Sequence, residues 1–430
     1  MAATVHPLFE TPLPRGWQLV TVDDIKSPEK SACVAGPFGS NISSKYFVES
    51  GVPIIRGGNL RNDLTRFVPE GFAFVSAEQA TKYRAQHVRA GDLVFTCWGT
   101  IGQVGLIPKN GPFPEYIISN KQLKLRPNLD LADPEYLFFY FAGPKMVQHV
   151  LGKAIGAAVP GINLGILKKL PVVLPPLPVQ QRIAGILSAY DELIENSQRR
   201  IKILESMARA LYREWFVHFR FPGHENHPRV ASPLGEIPQG WEVKKLKDVC
   251  GLTMGQSPKS EFYNEVGDGV AFHQGVTNFG DRFPSDRLFC TAEGRIAEAG
   301  DILFSVRAPV GRMNIANKRI ILGRGLSAIR HNQGHQAFIW EQLRNRFTKD
   351  DMMGNGAIFA SVTKDDMQGI ELVCPPSSVV ETATKHFEPL HSEIATLSQQ
   401  VQNLRRTRDL LLPRLLSGQA LPLDLVEPAT

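Results

Sequence analysis

AGDLVFTCWGTIGQ, residues 90–103, returns as AGDILFSVRAPVGR, residues 299–312, and this pair decides the fold. Each copy carries a short β-branched and aromatic run followed by a turn with a matching glycine, Gly102 or Gly311, and reads as a hairpin. Outward from the hairpin the agreement continues. Leu13, Pro14, Gly16 and Trp17 return as Ile237, Pro238, Gly240 and Trp241 at an offset of 224. GVPIIRG from Gly51 returns as GVAFHQG from Gly269 at 218, the hairpin itself at 209, and LPVVLPP from Leu170 as IELVCPP from Ile370 at 200. An offset that falls steadily along the chain is the mark of one unit duplicated, its scaffold kept and its loops trimmed.

The chain has 430 residues, 43% hydrophobic and 21% charged, enough to bury real cores as two or three domains and too apolar for a disordered chain. Its formal net charge is +6, which suits a polyanionic partner. Cys33, Cys97, Cys250, Cys290 and Cys374 stand alone, without zinc-clamp spacing, and suit a reducing cytoplasm. MAATVHPLFE lacks a basic start followed by an apolar run, and the apolar stretch from Leu170 to Val179 is broken by prolines, so neither an export signal nor a membrane span is expected.

Each copy ends in a long helix. After Pro175 and Pro176, apolar residues fall at Ile183, Leu187, Tyr190, Ile194, Ile201, Leu204 and Leu211 in three-and-four spacing, interrupted at Ser197. After Pro375 and Pro376 the stripe is Ala383, Phe387, Leu390, Ile394, Leu397, Val401, Leu404 and Leu411. On the premise that proline cannot sit inside either helix, both start just after the Pro-Pro pair. A seam about 36 residues long cannot stay solvated, so the two helices are expected to pack on each other. The bodies read as mixed globules of short strands, with one helix-like stretch each, Pro134–Val150 and Gln336–Phe347. Residues 220–235 lack periodicity and read as a linker.

These residues resemble the specificity subunit of type I restriction-modification systems. The pieces that carry the resemblance are MGQSPKSEFYNEVGDGVAFHQG from Met254, LPPLPVQQRIAGILSAYDELIENSQRRIKILE from Leu174 and LRRTRDLLLPRLLSGQ from Leu404, within a match over about residues 13–418. One departure is SSVVETATKHF after the second Pro-Pro, which lacks the QQRIA-like start of the first copy. The resemblance implies an α+β fold with two strand-rich target-recognition domains in tandem, each followed by a long helix. The helices would pack as an antiparallel coiled coil with pseudo-twofold symmetry. Its boundaries would be recognition domain 1 at 13–176, spacer helix 177–217, linker 218–236, recognition domain 2 at 237–376 and spacer helix 377–418. It further implies a non-catalytic reader of double-stranded DNA serving host defence, each domain reading half of a bipartite site and the helices fixing the gap. Two methyltransferase subunits and, optionally, two restriction subunits would join it. S-adenosylmethionine and ATP with Mg would sit on those partners, with no cofactor on this chain.

The residues themselves argue against an enzyme. The Pro-Pro pairs follow Leu174 and Cys374, where an adenine methyltransferase needs Asn or Asp to hold the exocyclic amine. Gly152-Lys153 lacks the upstream glycine of a phosphate loop, and no second ligand at i+4 accompanies His224 or His391, so neither a catalytic nor a metal residue is expected. A coiled-coil scaffold without DNA specificity is the other open reading.

DNA reading needs cations for phosphates and forked groups for base edges. Residues 13–176 hold 18 Lys/Arg against 12 Asp/Glu, and residues 237–376 hold 17 against 16, so the first copy carries most of the excess. Scaffold positions should agree between copies and reading positions should differ. Trp98 meets Arg307, Thr100 meets Pro309 and Gln103 meets Arg312; Arg56 meets Gln274, with His273 before it and Asn59 close by. Gln256, Ser257 and Lys259 form a turn suited to phosphates. Lys121 and Arg324 flank KQLKLRP and KRIILGR, which read first of all as half-buried edge strands. Tyr212, Trp215 and Phe216 are expected to be contact area for partner subunits.

Overall fold

The computed structural model describes residues 5–156, 160–347 and 361–420, the side chains of residues 40 and 41 excepted. The chain forms two compact units, residues 1–194 with 403–430, and residues 195–402.

In the first unit an antiparallel sheet of four strands runs in the order 33–35, 122–125, 93–96, 104–106. A five-stranded mixed sheet runs 47–48, 73–75, 52–55, 116–118, 87–88, with 52–55 and 116–118 parallel. All four residues of Leu93–Thr96 are buried, as a run without alternation requires. Helix α1 (Pro134–Ala142) starts at Asp133, whose carboxylate takes the Tyr136 N–H, and buries six consecutive side chains, Tyr136 to Phe141. Strand 18–21 pairs antiparallel with 171–174, which delivers the chain to Pro175-Pro176 and helix α2 (Leu177–Tyr212). Gln180 fixes that start: its Nε2 donates to Leu131 and Pro175 carbonyls, and its Oε1 accepts the Asp133 N–H.

The second unit repeats this design. Its four-stranded sheet runs 250–254, 326–331, 302–305, 313–315, and its five-stranded sheet 263–264, 289–290, 270–273, 320–322, 296–297. Helix α3 (Gln336–Arg346) takes the place of α1, and strand 242–245 pairs with 371–374 before helix α4 (Ser377–Leu416). The departure after the second Pro-Pro has a local meaning: Val380, buried, stands where the first copy has Gln180.

The long helices are shared by sequence between the units. Ile183, Ala184 and Leu187 of α2 enter one core with Leu412, Leu415 and Leu416 of α4 in the first unit. Ala208 and Tyr212 enter another with Val380, Ala383 and Phe387 in the second.

Three expectations need correction. Proline does sit inside α4, at Pro389 and Pro413. Pro389 is on the exposed face, as is Lys385, whose carbonyl loses its partner where solvent is at hand, and packing elsewhere along 40 residues offsets the loss. The segment read as a linker contains a strand, Arg229–Ser232, paired with Gly235–Pro238, and Phe221 anchors it on Trp241 at 5.2 Å. KQLKLRP and KRIILGR are not edges: 122–125 and 320–322 each lie between two neighbours. Lys124 is buried there, donating to the Ala85 and His87 carbonyls, and burial pushes its ammonium down to about 8.

Candidate nucleic-acid interface

In the second unit four loops are laced together by main-chain hydrogen bonds where strands 270–273 and 320–322 end. Gly323 N–H donates to His273 O at 2.8 Å, Gly325 to Gln274 at 3.1 Å, Gln256 to Leu322 at 3.0 Å and Val306 to Gly325 at 2.9 Å. The approach is close enough to demand glycine, since a Cβ on Gly255 would lie 2.2 Å from Gly323 O. The lacing brings Gln256, Ser257, Lys259, Gln274, Arg307 and Arg324 to one edge, all exposed except Ser257. Ser257 is half-buried and works inward: its hydroxyl donates to Gln274 Oε1 at 3.0 Å and accepts the Arg324 N–H at 3.2 Å. It therefore sets the pose of Gln274. Arg312 is exposed at the base of the hairpin that carries Arg307, its N–H on Ser305 Oγ at 2.9 Å.

The first unit keeps part of this lacing: its Cys97–Lys121 and Gly36–Gln122 bonds match Val306–Gly325 and Gly255–Leu326, whereas Pro37, without an N–H, stands where Gln256 donates, and the Ser119 N–H goes to Gln122 Oε1. Gly36 N–H donates to Gln122 O and Cys97 N–H to Lys121 O, both at 2.8 Å, and a Cβ on Gly36 would collide with Ser119 O. Arg56, Trp98, Thr100 and Lys121 are exposed there, and the Trp98 ring lies flat against Gly161, whose Cβ would meet it at 2.4 Å. Two further residues join this edge that sequence comparison passed over. Phe38, 89% exposed, stands where the second unit has Ser257, and Asn120, not Lys121, stands where it has Arg324. A signal existed: offsets of 219 and 204 fall within the declining series.

Several candidates are structural instead. Asn59 is 1% exposed; its Oδ1 accepts the Arg56 N–H, and its Nδ2 donates to Val68 and Glu70 carbonyls, stapling the loop. His273 is fully buried with Nε2 3.1 Å from Asp286, and burial pushes its imidazole below the usual value against the pull of that carboxylate. Gln103 spends its amide on Thr96 Oγ1 at 3.0 Å and Leu60 O at 3.1 Å. Tyr212, Trp215 and Phe216 are not partner surface: Tyr212 ends α2 against Phe338, and the π-helical turn at 213–217 buries Trp215 beside His386 and Phe216 among Phe338, Trp241 and Phe387, with Phe216 and Phe338 rings 4.9 Å apart. The exposed large apolar side chains of the long helices are Leu193, Ile203, Met207 and Leu410.

Among the described residues no group of His, Cys, Asp or Glu is arranged to hold a metal ion, and no helix is long and apolar enough to cross a membrane. Burial pushes the thiols of Cys33, Cys97 and Cys374 up to about 11 and that of Cys250 up to about 12, which makes them poor nucleophiles.

The sequence profile described as "Type I restriction modification DNA specificity domain" matches the chain twice, at residues 14–206 and 238–404. The putative type I restriction enzyme MjaX specificity subunit of Methanocaldococcus jannaschii is 28% identical over 416 residues, covering 95% of this chain and 94% of that protein. The MjaIX specificity subunit of the same organism is 24% identical over 432 residues with the same coverage. Among solved structures, the S subunit of a type I restriction-modification system from M. genitalium superposes with a TM-score of 0.58 at 15% identity, over 96% of this chain and 99% of that one, a likeness of fold.

Proposed function

Since the chain belongs to the type I restriction-modification DNA specificity family, we propose that each unit reads one half of a bipartite DNA site and that the chain directs catalytic subunits there without performing chemistry itself. What carries this reading is the loop edge, built in both units on two matching main-chain bonds, Gly36 to Gln122 with Gly255 to Leu326 and Cys97 to Lys121 with Val306 to Gly325, and given different side chains each time. Arg56 corresponds in the repeat to Gln274, Trp98 to Arg307 and Asn120 to Arg324. Arginine suits guanine and glutamine suits adenine in the major groove, so the same scaffold addresses two different sequences. Lys121, Gln256, Lys259 and Arg312 add phosphate or base contacts at the rim, and Thr100 joins them from the hairpin.

The partners we assign are two methyltransferase subunits and, optionally, two restriction subunits, with S-adenosylmethionine and ATP/Mg on those chains. Helices α2 and α4 would pair as an antiparallel coiled coil related by a pseudo-twofold. The pairings inside each unit support this: Arg408 with Asp191 at 2.6 Å in the first, Arg200 with Glu393 at 2.6 Å in the second. Leu193, Ile203, Met207 and Leu410 point away from those cores and offer the partner surface that the buried aromatics do not. Five thiols without disulfides fit a cytoplasmic setting.

Mapping methylated adenines across a genome with and without this gene tests the reading. A bipartite motif that vanishes with the gene is the expected result. Its persistence, or DNA binding by the assembled complex that ignores sequence and depends on salt alone, contradicts it.

A further inference from the structure

Both units tie the body to its long helix through an arginine at the same place in the fold. Arg66 O accepts the Leu106 N–H and Arg282 O the Ile315 N–H, on matching strands. Each guanidinium also lies over a ring of the body helix, Arg66 over Phe138 at 5.8 Å and Arg282 over Trp340 at 5.4 Å. What they reach differs. Arg66 donates to Asp191 of α2 at 2.8 Å, Glu135 at 2.7 Å and Ser188 at 2.9 Å, and Arg408 closes on the other Asp191 oxygen.

In the second unit, by the offset of 200 between the long helices, Asp191 becomes His391 and the residue facing from Arg408's position is Ala208. Arg282 Nη2 lies 2.7 Å from His391 Nδ1, and His391 Nε2 lies 3.0 Å from Glu341 Oε1. A guanidinium can only donate, so Nδ1 accepts and Nε2–H donates to the carboxylate. The ring is therefore neutral, standing between the cation and the anion. Arg282 Nε and Glu341 Oε2 have no hydrogen-bond partner, so the two His391 contacts are what joins this cation to this anion.

We infer that His391 is the positioning residue of the second recognition unit: as a neutral relay it fixes the Arg282 loop and α3 on α4, and gaining a proton breaks that hold, so the second half-site is lost in acid while the first, held by Asp191, is not.

The chemistry follows from one added proton. It would sit on Nδ1, 2.7 Å from a guanidinium nitrogen, and turn an accepted hydrogen bond into a contact between two cations. The charged groups facing the ring are Arg282 from the body, Glu341 and Arg344 from α3, Glu205 of α2 through its pair with Arg344 at 3.2 Å, and Glu388 on its own helix. Burial pushes His391 below the usual imidazole value and Arg282 and Arg344 add to this, against Glu341. A base whose folded value is depressed gives stability that is complete above the unfolded value of about 6.5 and is lost as the pH falls below it. A cavity of about 490 Å³ lined by Arg282, Trp340, Glu388 and His391 lets water reach the ring.

The proposal rests on the DNA reading above, and the test separates the two. The full chain assembled with its methyltransferase subunits is titrated, at pH 7.5 and 5.5, with duplexes carrying its mapped motif or with one half scrambled. His391→Gln supplies a permanently neutral relay, its amide oxygen accepting from Arg282 and its amide NH donating to Glu341. The expected result is that the wild type loses discrimination of the second half-site several-fold more than H391Q between the two pH values, up to the roughly tenfold that one proton on a group of about 6.5 can supply, with the first half-site alike in both. Parallel losses in the two proteins overturn the relay. Glu341→Gln gives an independent check, because removing the carboxylate that favours the charged ring moves the wild-type loss to lower pH; an unmoved profile counts against the proposal. Should neither protein distinguish either half-site at pH 7.5, the DNA reading fails, and the relay is then judged by thermal unfolding, where equal pH slopes below about 6.5 for wild type and H391Q overturn it.

Discussion

Arg307 bridges Ser361, Gln274 O accepts the Gly325 N–H and Arg56 is bonded through its N–H and carbonyl to Asn59, so truncating these side chains removes contacts without releasing the backbone. Arg307→Ala and Gln274→Ala are expected to weaken binding by about 1–3 kcal/mol each, for the second half-site only, and Arg56→Ala for the first only. Titration against duplexes scrambled one half at a time checks this, and a uniform loss would assign the residue to phosphates. Asn59→Ala should behave oppositely. It orphans one N–H and two carbonyls in a buried loop, costing about 1–3 kcal/mol of unfolding free energy while leaving the methylated motif unchanged. Residue type could not separate Asn59 from Arg56. Both are polar and flank the same glycines, and what decides their roles is that Val68 and Glu70, nine and eleven residues on, bring carbonyls needing a donor. Sequence spacing carries no trace of that need.

At the scale of elements, the duplicated strands, the hairpins and both long helices were legible because the two copies check each other. The matched glycines of the hairpin, Gly102 and Gly311, have φ of +94° and +91°, which explains why they persist while their neighbours change. Less legible was the strand at 229–232, which pairs through a tight hairpin with 235–238 and is mostly exposed, without an alternation of its own. The premise that proline cannot sit inside either helix fails at Pro389 because the cost of one proline is local, of order 3 kcal/mol, and the packing that offsets it is spread along the helix. The lacing of the loops gives an element-scale prediction. Gly255→Ala places a methyl against Gly323 O and must part the 255–259 loop from 323–325. Discrimination of the second half-site should fall at least as far as for Arg307→Ala, with faster amide exchange confined to these loops; an unaffected motif would show that the lacing does not position the reading residues.

For the whole molecule, the prediction concerns the gap between half-sites. Four residues inserted in an α-helix add about 6 Å of rise and about 40° of rotation beyond a full turn. Insertion after Ser197 together with a matching insertion after Leu397 is expected to change the preferred gap and leave both half-site sequences as they were, because no loop of either edge is touched. Methylation mapping of the doubly extended protein reads both quantities together. An unchanged gap would mean that α2 and α4 do not set the spacing, and altered half-sites would move recognition into the helices.

The first unit's core is completed by the far end of the chain, and synthesis runs in one direction. Ile183, Ala184 and Leu187 leave the ribosome long before Leu412, Leu415 and Leu416, which cover them. From residue 194 to 416 is 222 residues, on the order of 10–45 s of translation at roughly 5–20 residues per second. Throughout that time the nascent first unit exposes an apolar face that nothing yet translated is built to cover. A protein stopped after Gln402 keeps that face for good, and should aggregate or stay bound to chaperones where the full chain does not; sedimentation of the two translation products side by side checks it. The same dependence opens a second route, since the late segment of one nascent chain fits the waiting core of another on the same polysome. Crowded synthesis should then yield swapped pairs in which each chain completes its neighbour.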